Sequence, residues 1–302
     1  YLYYIGNSSF ILNQLLQKIH SSAQPKINKD DLKTTYILIP PVEEQEKIVN
    51  YLDKQCGEID KIIDLKKQQI DLLKEYKKNL ITETVIKGLN KDVEMKDSGV
   101  AWVEKIPKHW EVRKIKYIGS VSHGLTYKPK DLCENGMLVL RSSNIQNGKI
   151  CLDDNVYVSC EIKPELMVKK DDILICARNG SKKLVGKSAI IKDDIKATFG
   201  AFMMILRCNC AEYMYYILNS NIFSYYSGTF STSTINQLTI TDFNNMKVLL
   251  PPVEEQEEIV KFLDVKCKTI DKIIDLKNQQ INLLHEYKKT LIYEYVTGKQ
   301  EV

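Results

Sequence analysis

The sequence predicts an α+β protein in which a strand-rich domain is combined with two copies of a long helix. Two observations predict this fold class. Residues 40–85 recur, with most positions identical, at residues 251–296. Between the copies, residues 107–250 contain short apolar runs bounded by turn residues, which is typical of strands. A segment that occurs twice at distant places predicts two equivalent structural positions.

Each copy of the repeat is predicted to form one long helix, because apolar residues recur at three- and four-residue spacings. Pro41 favours the helix start, while Gly88 and Gly298 favour left-handed ends. The residues predicted to pair the helices are Leu52, Cys56, Ile59, Ile63, Ile70, Leu73, Leu80, Leu263, Cys267, Ile270, Ile274, Ile281, Leu284 and Leu291. A second apolar stripe consists of Ile62, Leu65, Leu72 and Tyr76. The helices alone fit an oligomerisation rod equally well.

Composition bounds the class of protein. With 302 residues, 44% of them apolar and 27% charged, the chain is ordinary for a soluble globular protein. No apolar run approaches about 18 residues and no signal peptide opens the chain, so we expect a cytoplasmic protein without a membrane segment. The eight cysteines have no metal-ligand spacing, which predicts buried reduced thiols and no metal site.

The segment between the helices carries the basic excess of the chain. Residues 107–250 contain 19 Lys and Arg against 13 Asp and Glu. This balance is compatible with a polyanionic partner, although it is equally common in proteins that bind none.

The order of segments predicts how the chain is divided. The run Tyr3–Ser8 resembles Tyr215–Ser220, so residues 1–39 are expected to be the end of a second copy of the strand-rich domain. The chain opens without Met, which predicts that its numbering begins inside a longer gene product. The predicted segments are this remnant (1–39), the first helix (40–88), a linker with an opening motif (89–106), the strand-rich domain (107–250), the second helix (251–298) and a tail (299–302).

Within the domain, strands and one helix are predicted. The helix covers Glu212–Tyr226, and both tryptophans, Trp102 and Trp110, are expected to anchor the opening motif on a core. The predicted strands are Val112–Ile118, Met137–Leu140, Val156–Val158, Asp172–Cys176, Ser188–Ile191 and Ala201–Leu206.

Four polar loops carry side chains suited to DNA. They cover residues 123–128, 141–149, 177–183 and 230–237. Arg reads guanine and Asn or Gln reads adenine, whereas Lys and Ser typically hold phosphates. The candidate DNA-binding residues are Tyr127, Lys128, Arg141, Ser142, Asn144, Arg178, Asn179, Ser181, Lys182, Lys183, Ser233, Thr234, Asn236 and Gln237. Polar loops also decorate any domain surface.

Catalytic signals are weak. The sequence has no glycine-rich nucleotide loop and no Asn-Pro-Pro-Tyr or Asp-Pro-Pro-Tyr motif. Asp154 followed by Glu161 and Lys163 superficially resembles the metal-binding acids of nucleases, but such charges are common on surfaces. No catalytic residue is predicted.

Two motifs together resemble a known family. The segment Leu250–Glu257 (Leu-Pro-Pro-Val-Glu-Glu-Gln-Glu) is followed by a long helix, and Lys96–Trp110 opens the domain with Ser-Gly-Val-Ala-Trp and His-Trp. With the repeat, they resemble the specificity subunit of Type I restriction-modification systems. The runs Leu140–Ile150 and Asp172–Ser181 also resemble strand-loop units of that family.

The resemblance implies a DNA reader that is not itself an enzyme. In that family, target recognition domains each read half of a split DNA sequence, and the repeated helices lie antiparallel as an intramolecular coiled coil that sets the spacing. Methyltransferase subunits dock on them and methylate adenine N6 using S-adenosylmethionine, and a motor-nuclease subunit that uses ATP and Mg²⁺ can join. We therefore expect double-stranded DNA and these subunits as partners, and no cofactor in this chain. The first target recognition domain is expected to be truncated to residues 1–39.

Other functions stay open at this point. A coiled-coil scaffold whose α+β domain binds protein would share the helices, but it would not require basic loops. A half-size specificity subunit that acts as a homodimer would share both features.

Overall fold

The structure, a computed structural model, describes residues 1–19, 27–229 and 237–302. It divides into two compact units. Unit 1 contains residues 1–74 and 269–302, and unit 2 contains residues 75–268. Both helices and strands are present, which confirms the predicted fold class.

The helices and strands follow each other along the chain. The helices are α1 (Leu2–Gly6), α2 (Ser9–Lys18), α3 (Lys29–Lys33), α4 (Val42–Lys87), α5 (Ala211–Leu218), α6 (Asn221–Thr229), α7 (Ile240–Asn245) and α8 (Val253–Val296). The strands are β1 (Met95–Val100), β2 (Val103–Pro107), β3 (Glu111–Lys114), β4 (Gly119–His123), β5 (Leu132–Cys133), β6 (Met137–Leu140), β7 (Ile145–Gln146), β8 (Lys149–Ile150), β9 (Tyr157–Val158), β10 (Ile173–Cys176), β11 (Ser188–Ile190), β12 (Ala197–Phe199), β13 (Met203–Cys208) and β14 (Lys247–Leu250).

The two predicted long helices are α4 and α8. Acidic residues occupy the first turn of each, where they stabilise the positive end of the helix dipole. Both helices end at glycines in the left-handed conformation, with φ of 73° at Gly88 and 68° at Gly298. The start and end signals in the sequence therefore place the helix bounds within two residues.

Within unit 1, the helix segments run antiparallel. The Lys66 ammonium donates to the Gln280 side-chain oxygen at 2.7 Å, and the Lys277 ammonium donates to that of Gln69 at 2.6 Å. The two hydrogen bonds are the same interaction seen from each copy of the repeat. Lys66, which interrupts the apolar stripe, thus bridges the helices at the edge of their contact.

The residues predicted to pair the helices are all withdrawn from solvent to some degree. Buried are Leu52, Cys56, Ile59, Ile63, Ile70, Leu263, Cys267, Ile270, Ile281 and Leu291. Half-buried are Leu73, Leu80, Ile274 and Leu284. The second stripe, in contrast, is exposed in both copies.

Unit 2 is built on two four-stranded sheets. One has the order β11-β10-β13-β4 and is antiparallel, and the other has the order β12-β6-β9-β5, in which β12 and β6 are parallel. Strand β10 is buried along its whole length, as its continuous apolar sequence predicts. β14 pairs with β3 immediately before α8 begins.

Several predicted elements differ from the structure. The predicted helix over residues 212–226 is interrupted between α5 and α6, because the Ser220 hydroxyl accepts from the Ile222 amide and starts a new helix. The first predicted strand stops at Lys114 and continues as a 3₁₀ turn. Residues 200–202 form a turn, so the last predicted strand begins later. Most of the predicted linker, residues 89–106, is the hairpin β1–β2.

The cysteine prediction was right only in part. Cys56, Cys176 and Cys267 are buried, whereas the other five are half-buried. Cys208 is the last residue of β13, and Cys210 lies immediately before α5.

The opening motif is fixed by the repeated motif at the start of α8. Trp110 is fully buried, and its indole N–H donates to the Glu255 carboxylate at 2.9 Å. The His109 ring nitrogen Nε2 lies 2.7 Å from the same carboxylate oxygen. The Gln256 side chain donates back to the Pro251 carbonyl at 2.8 Å. The two sequence motifs are therefore parts of one contact.

Units 1 and 2 contain equivalent contacts, as the similarity between residues 3–8 and 215–220 suggests. A tyrosine hydroxyl donates to a carboxylate on the adjoining long helix, and a second tyrosine hydroxyl donates to a carbonyl at a helix end. In unit 1 these pairs are Tyr4–Asp53 and Tyr1–Val296, and in unit 2 they are Tyr216–Asp264 and Tyr213–Val85. Burial and the neighbouring Asp264 raise the pKa of Tyr216, so its hydroxyl stays a donor.

Unit 1 exposes apolar residues whose counterparts in unit 2 are buried. The exposed residues Ile27, Leu32, Ile37 and Leu38 correspond to the fully or almost fully buried Leu238, Phe243, Val248 and Leu249. In unit 2, strand β3 and Trp110 belong to the structure that covers these positions.

Candidate nucleic-acid interface

The predicted loops meet where several strands of unit 2 end. The Gly200 amide donates to the Leu140 carbonyl at 3.0 Å, which joins the turn after β12 to the end of β6. The Ala177 amide, just after β10, donates to the Phe202 carbonyl at 2.8 Å. We call the resulting surface the recognition edge. It consists of residues 123–128, 141–144, 177–182, 200–202 and 237.

Close backbone approach holds the first loop against this edge. The Leu125 amide donates to the Phe199 carbonyl at 2.7 Å. A Cβ atom at Gly124 would lie closer to the Gly200 carbonyl oxygen than van der Waals contact allows. Glycine at position 124 is therefore required for the loops to come together.

Arg178 is an exposed cation on the recognition edge. Its amide donates to the Phe202 carbonyl at 3.0 Å, and its backbone forms a β-bridge with Gln237. The guanidinium lies over the Phe202 ring, 5.2 Å from the ring centroid. No carboxylate among the described residues forms an ion pair with it, so its hydrogen-bond donors are available to a ligand.

The structure contradicts the predicted base contact of Asn144. This side chain is fully buried, and its oxygen accepts from the Arg141 amide at 2.9 Å. Its nitrogen donates to the carbonyls of Cys151 and Asp154 at 3.0 and 3.1 Å. Because both ends of the amide are used inside the protein, Asn144 shapes its loop and does not reach a base.

The Arg141 guanidinium is only partly available for a contact with DNA. Its guanidinium forms an ion pair with the Asp154 carboxylate at 3.0 Å, and its side chain is 34% exposed. Asp154 is one of the acids that resemble a nuclease site, and the structure gives it this different partner. Among the described residues, no group of three or more His, Cys, Asp and Glu side chains is arranged to hold a metal ion.

Hydrogen bonds connect two of the predicted loops directly. The Asn179 side-chain nitrogen donates to the Ser142 hydroxyl at 3.3 Å, and its oxygen accepts from the Ser181 amide at 3.0 Å. The Lys187 ammonium donates to the Ser142 carbonyl at 3.4 Å. Lys187 was missed in the sequence because it follows a predicted loop without belonging to it.

The remaining candidates differ in exposure. Lys128, Ser181 and Lys182 are exposed, whereas Tyr127 and Gln237 are half-buried. Ser233, Thr234 and Asn236 lie outside the described residues, as does the side chain of Lys183.

The thiol beneath the edge adds no negative charge. Burial raises the pKa of Cys176, whose sulfur donates weakly to the Arg178 carbonyl. The thiol therefore stays neutral beneath the exposed side chain of Arg178.

A family model decides the classification. The model described as Type I restriction modification DNA specificity domain matches residues 1–75 and 107–286. The chain belongs to this family. The predicted resemblance is thereby confirmed, and the matched ranges include the whole recognition edge and the second helix as far as residue 286.

Curated relatives in the family are named specificity subunits. The chain is 27% identical over 290 residues to the Type I restriction enzyme MjaVIII specificity subunit of Methanocaldococcus jannaschii, covering 92% of this chain and 65% of that protein. It is 28% identical over 204 residues to the EcoKI specificity subunit of Escherichia coli K12, covering 65% of this chain and 44% of that protein. The chain thus spans roughly half to two thirds of the length of these relatives.

Solved structures of the family share the fold. A chain from a structure describing complex assembly and conformational transition of the type I restriction-modification system matches with a TM-score of 0.73 at 19% identity, covering 98% of this chain and 70% of that chain. The HsdS subunit from Thermoanaerobacter tengcongensis matches with a TM-score of 0.52, also at 19% identity, covering 99% and 70%. Among the described residues, no helix is long and apolar enough to cross a membrane.

Proposed function

We propose that this chain is a non-catalytic subunit that determines which DNA sequence a Type I restriction-modification complex recognises. The observation that carries the proposal is the recognition edge of a family member, where an exposed and unpaired Arg178 stands among converging polar loops. Side chains held at strand ends on hydrogen-bonded loops are suited to reading base edges, because a reader must be fixed within about 0.5 Å.

The residues of the recognition edge have different roles in binding DNA. The Arg178 guanidinium reads a guanine through its O6 and N7 atoms, which accept two parallel hydrogen bonds. The exposed residue Lys128 contacts a phosphate, and such contacts position the duplex without reading it. Asn179 and Ser142 hold the loops together.

The test compares two exposed arginines. The complete chain, combined with its methyltransferase partner, is incubated with a randomised DNA library, and the methylated adenines are sequenced. Arg178→Ala should relax the preference at one base pair by about 5- to 150-fold, which corresponds to roughly 1–3 kcal/mol. Arg113→Ala is the control, because Arg113 is exposed but pairs with Glu111 on β3, away from the recognition edge. An unchanged motif in the Arg178 variant would refute its role.

Salt dependence separates this proposal from the protein-binding scaffold. Binding through phosphates releases counterions, so the affinity for DNA should fall steeply between low and physiological salt. A scaffold that binds protein through the same domain would show no salt-dependent affinity for DNA.

The exposed second stripe supports a docking surface for the methyltransferase subunits. Ile62, Leu65, Leu72 and Tyr76 recur as the exposed residues Ile273, Leu276, Leu283 and Tyr287. Repeated exposed apolar residues on long helices favour protein contacts. We expect one subunit to contact each copy of the stripe.

Charge insertion tests the docking surface. Leu65→Glu together with Leu276→Glu should abolish co-purification of the methyltransferase subunit. Lys54→Glu places the same new charge at an exposed position of α4 outside the stripe and should leave co-purification intact. Retention of the subunit by the double variant would contradict the docking assignment.

The long helices are proposed to set the distance between half-sites. With 46 and 44 residues, α4 and α8 are each about 65–70 Å long. Removal of one heptad from each helix shortens it by about 10 Å and should change the unread spacer of the methylated motif by about three base pairs. An unchanged spacer would argue against this role.

Cofactors and the remaining partners follow from the same proposal. S-adenosylmethionine, ATP and Mg²⁺ are used by the methyltransferase and motor-nuclease subunits, not by this chain. A homodimer that completes a second reader stays a prediction, which light scattering of the purified chain would test.

A further inference from the structure

We propose that Phe202 is a second reader of DNA sequence, contacting the C5 methyl group of a thymine in the base pair next to the one read by Arg178. The inference rests on the proposed function, because it requires the recognition edge to face the bases. Phe202 lies inside the predicted strand Ala201–Leu206, and no sequence motif connects it with DNA.

Position distinguishes Phe202 from other exposed aromatics. Its side chain is 60% exposed, and that of Tyr117 is 68% exposed. Single exposed apolar residues are common on protein surfaces. Phe202, however, lies on the recognition edge, whereas Tyr117 lies before β4, at the opposite end of that strand from the loop that begins at His123.

The backbone of Phe202 is rigidly held. Its carbonyl oxygen accepts hydrogen bonds from the amides of Ala177 and Arg178, at 2.8 and 3.0 Å. The Met203 amide closes the turn on the Gly200 carbonyl at 2.8 Å. The backbones of the turn and the Arg178 loop are therefore joined, and the contact between the guanidinium and the ring holds the two side chains side by side.

The spacing of the two side chains matches neighbouring base pairs. The guanidinium carbon lies 5.2 Å from the centroid of the Phe202 ring. Base pairs of B-DNA are about 3.4 Å apart along the axis, so the two groups are separated by between one and two steps. When Arg178 bonds to one base pair, the ring accordingly reaches the adjacent pair.

The DNA groove that Arg178 enters determines which part of a base the Phe202 ring can contact. The guanine atoms that accept two hydrogen bonds from arginine lie in the major groove. A ring stacked beside that arginine lies in the same groove, where the thymine methyl is the apolar group that a phenyl ring contacts. Wedging between base steps, in contrast, is typical of proteins that bind the minor groove.

The experiment uses the full chain with its methyltransferase partner on the randomised library. Phe202→Ala should lose the preference for thymine at one base pair, adjacent to the pair that Arg178→Ala relaxes. The expected loss is about fourfold, the contribution of one methyl group removed from water. Phe202→Leu should retain most of the preference, and Tyr117→Ala should leave the motif unchanged.

Removal of the methyl group from the DNA gives an independent readout. On an oligonucleotide carrying the mapped motif, deoxyuridine in place of that thymidine should weaken methylation by the native complex about fourfold. The same replacement should have no effect on the Phe202→Ala complex, because the contact is already absent.

The outcomes separate the inference from the function it rests on. If Arg178→Ala changes the motif and Phe202→Ala does not, the thymine contact is overturned and the proposed function stands. A uniform loss of methylation at all sequences in Phe202→Ala would also overturn it, because it would indicate a supporting role. If the native complex produces no motif, the proposed function itself fails.

Discussion

Replacement of Glu255 by alanine should destabilise unit 2 through the indole of Trp110. The Glu255 carboxylate accepts from the indole N–H at 2.9 Å, and Trp110 has no exposed surface. A buried donor that loses its acceptor costs about 1–3 kcal/mol. Loss of a negative charge in the first turn of α8 costs a further ~0.3–1 kcal/mol.

A neighbouring glutamate separates the contacts of Glu255 with Trp110 and His109 from the helix dipole. Glu254 occupies the same first turn but is exposed, so Glu254→Ala loses only the interaction with the helix dipole. The difference in unfolding free energy between the two variants should therefore be about 1–3 kcal/mol.

Tryptophan fluorescence during urea unfolding measures this difference. Both tryptophans of the chain, Trp102 and Trp110, belong to unit 2, so the signal follows that unit. Thermal unfolding should show a lower midpoint for Glu255→Ala, by about 2–4 °C for each kcal/mol. Equal stability of the Glu255 and Glu254 variants would refute the argument that the two sequence motifs form one contact.

Three further changes test other parts of the structure. Asn144→Ala should lower the unfolding free energy of unit 2 by about 1–3 kcal/mol and leave the base preference of the edge unchanged; a shift in the methylated motif would contradict its structural role. Gly124→Ala should weaken DNA binding, measured by fluorescence anisotropy, because its Cβ displaces the loop from the Gly200 carbonyl; native affinity would show that the loop can move. Leu52→Ala should cost about 2–5 kcal/mol in urea unfolding followed by circular dichroism, whereas Leu65→Ala should cost far less, because only Leu52 is buried; similar losses would contradict the stripe assignment.

The long helices could be predicted because their signals are local. Apolar spacing, the proline before Val42 and the glycine at position 88 all act within a few residues. The exposure of the second stripe could not be predicted, because the same spacing suits a buried face. Only the packing of the other long helix shows which of the two apolar stripes is buried.

The predicted bounds of the strands were less accurate than those of the long helices, because tertiary contacts determine where a strand begins and ends. The apolar run at residues 201–206 favours a strand, yet hydrogen bonds from the Arg178 loop turn its first residues into the edge that presents Phe202. The sequence signal that could have shown this is the glycine at position 200, which marks a turn inside an otherwise continuous run.

The sequence indicates which loops could form the candidate site, but it does not indicate which of their side chains face outward. Arg178 and Asn144 have equally suitable side chains for bases, and only burial distinguishes them. A polar side chain after a strand can either reach outward or satisfy the backbone of its own loop. Asn144 does the latter, because three backbone groups around it need partners.

The central claim is that this chain determines which DNA sequence is methylated. The most direct measurement is a genome-wide map of methylated adenine in DNA treated with the methyltransferase partner, with and without this chain. The account predicts that a single defined motif appears only when the chain is present. Methylation without any motif, or the same motif in its absence, would contradict it.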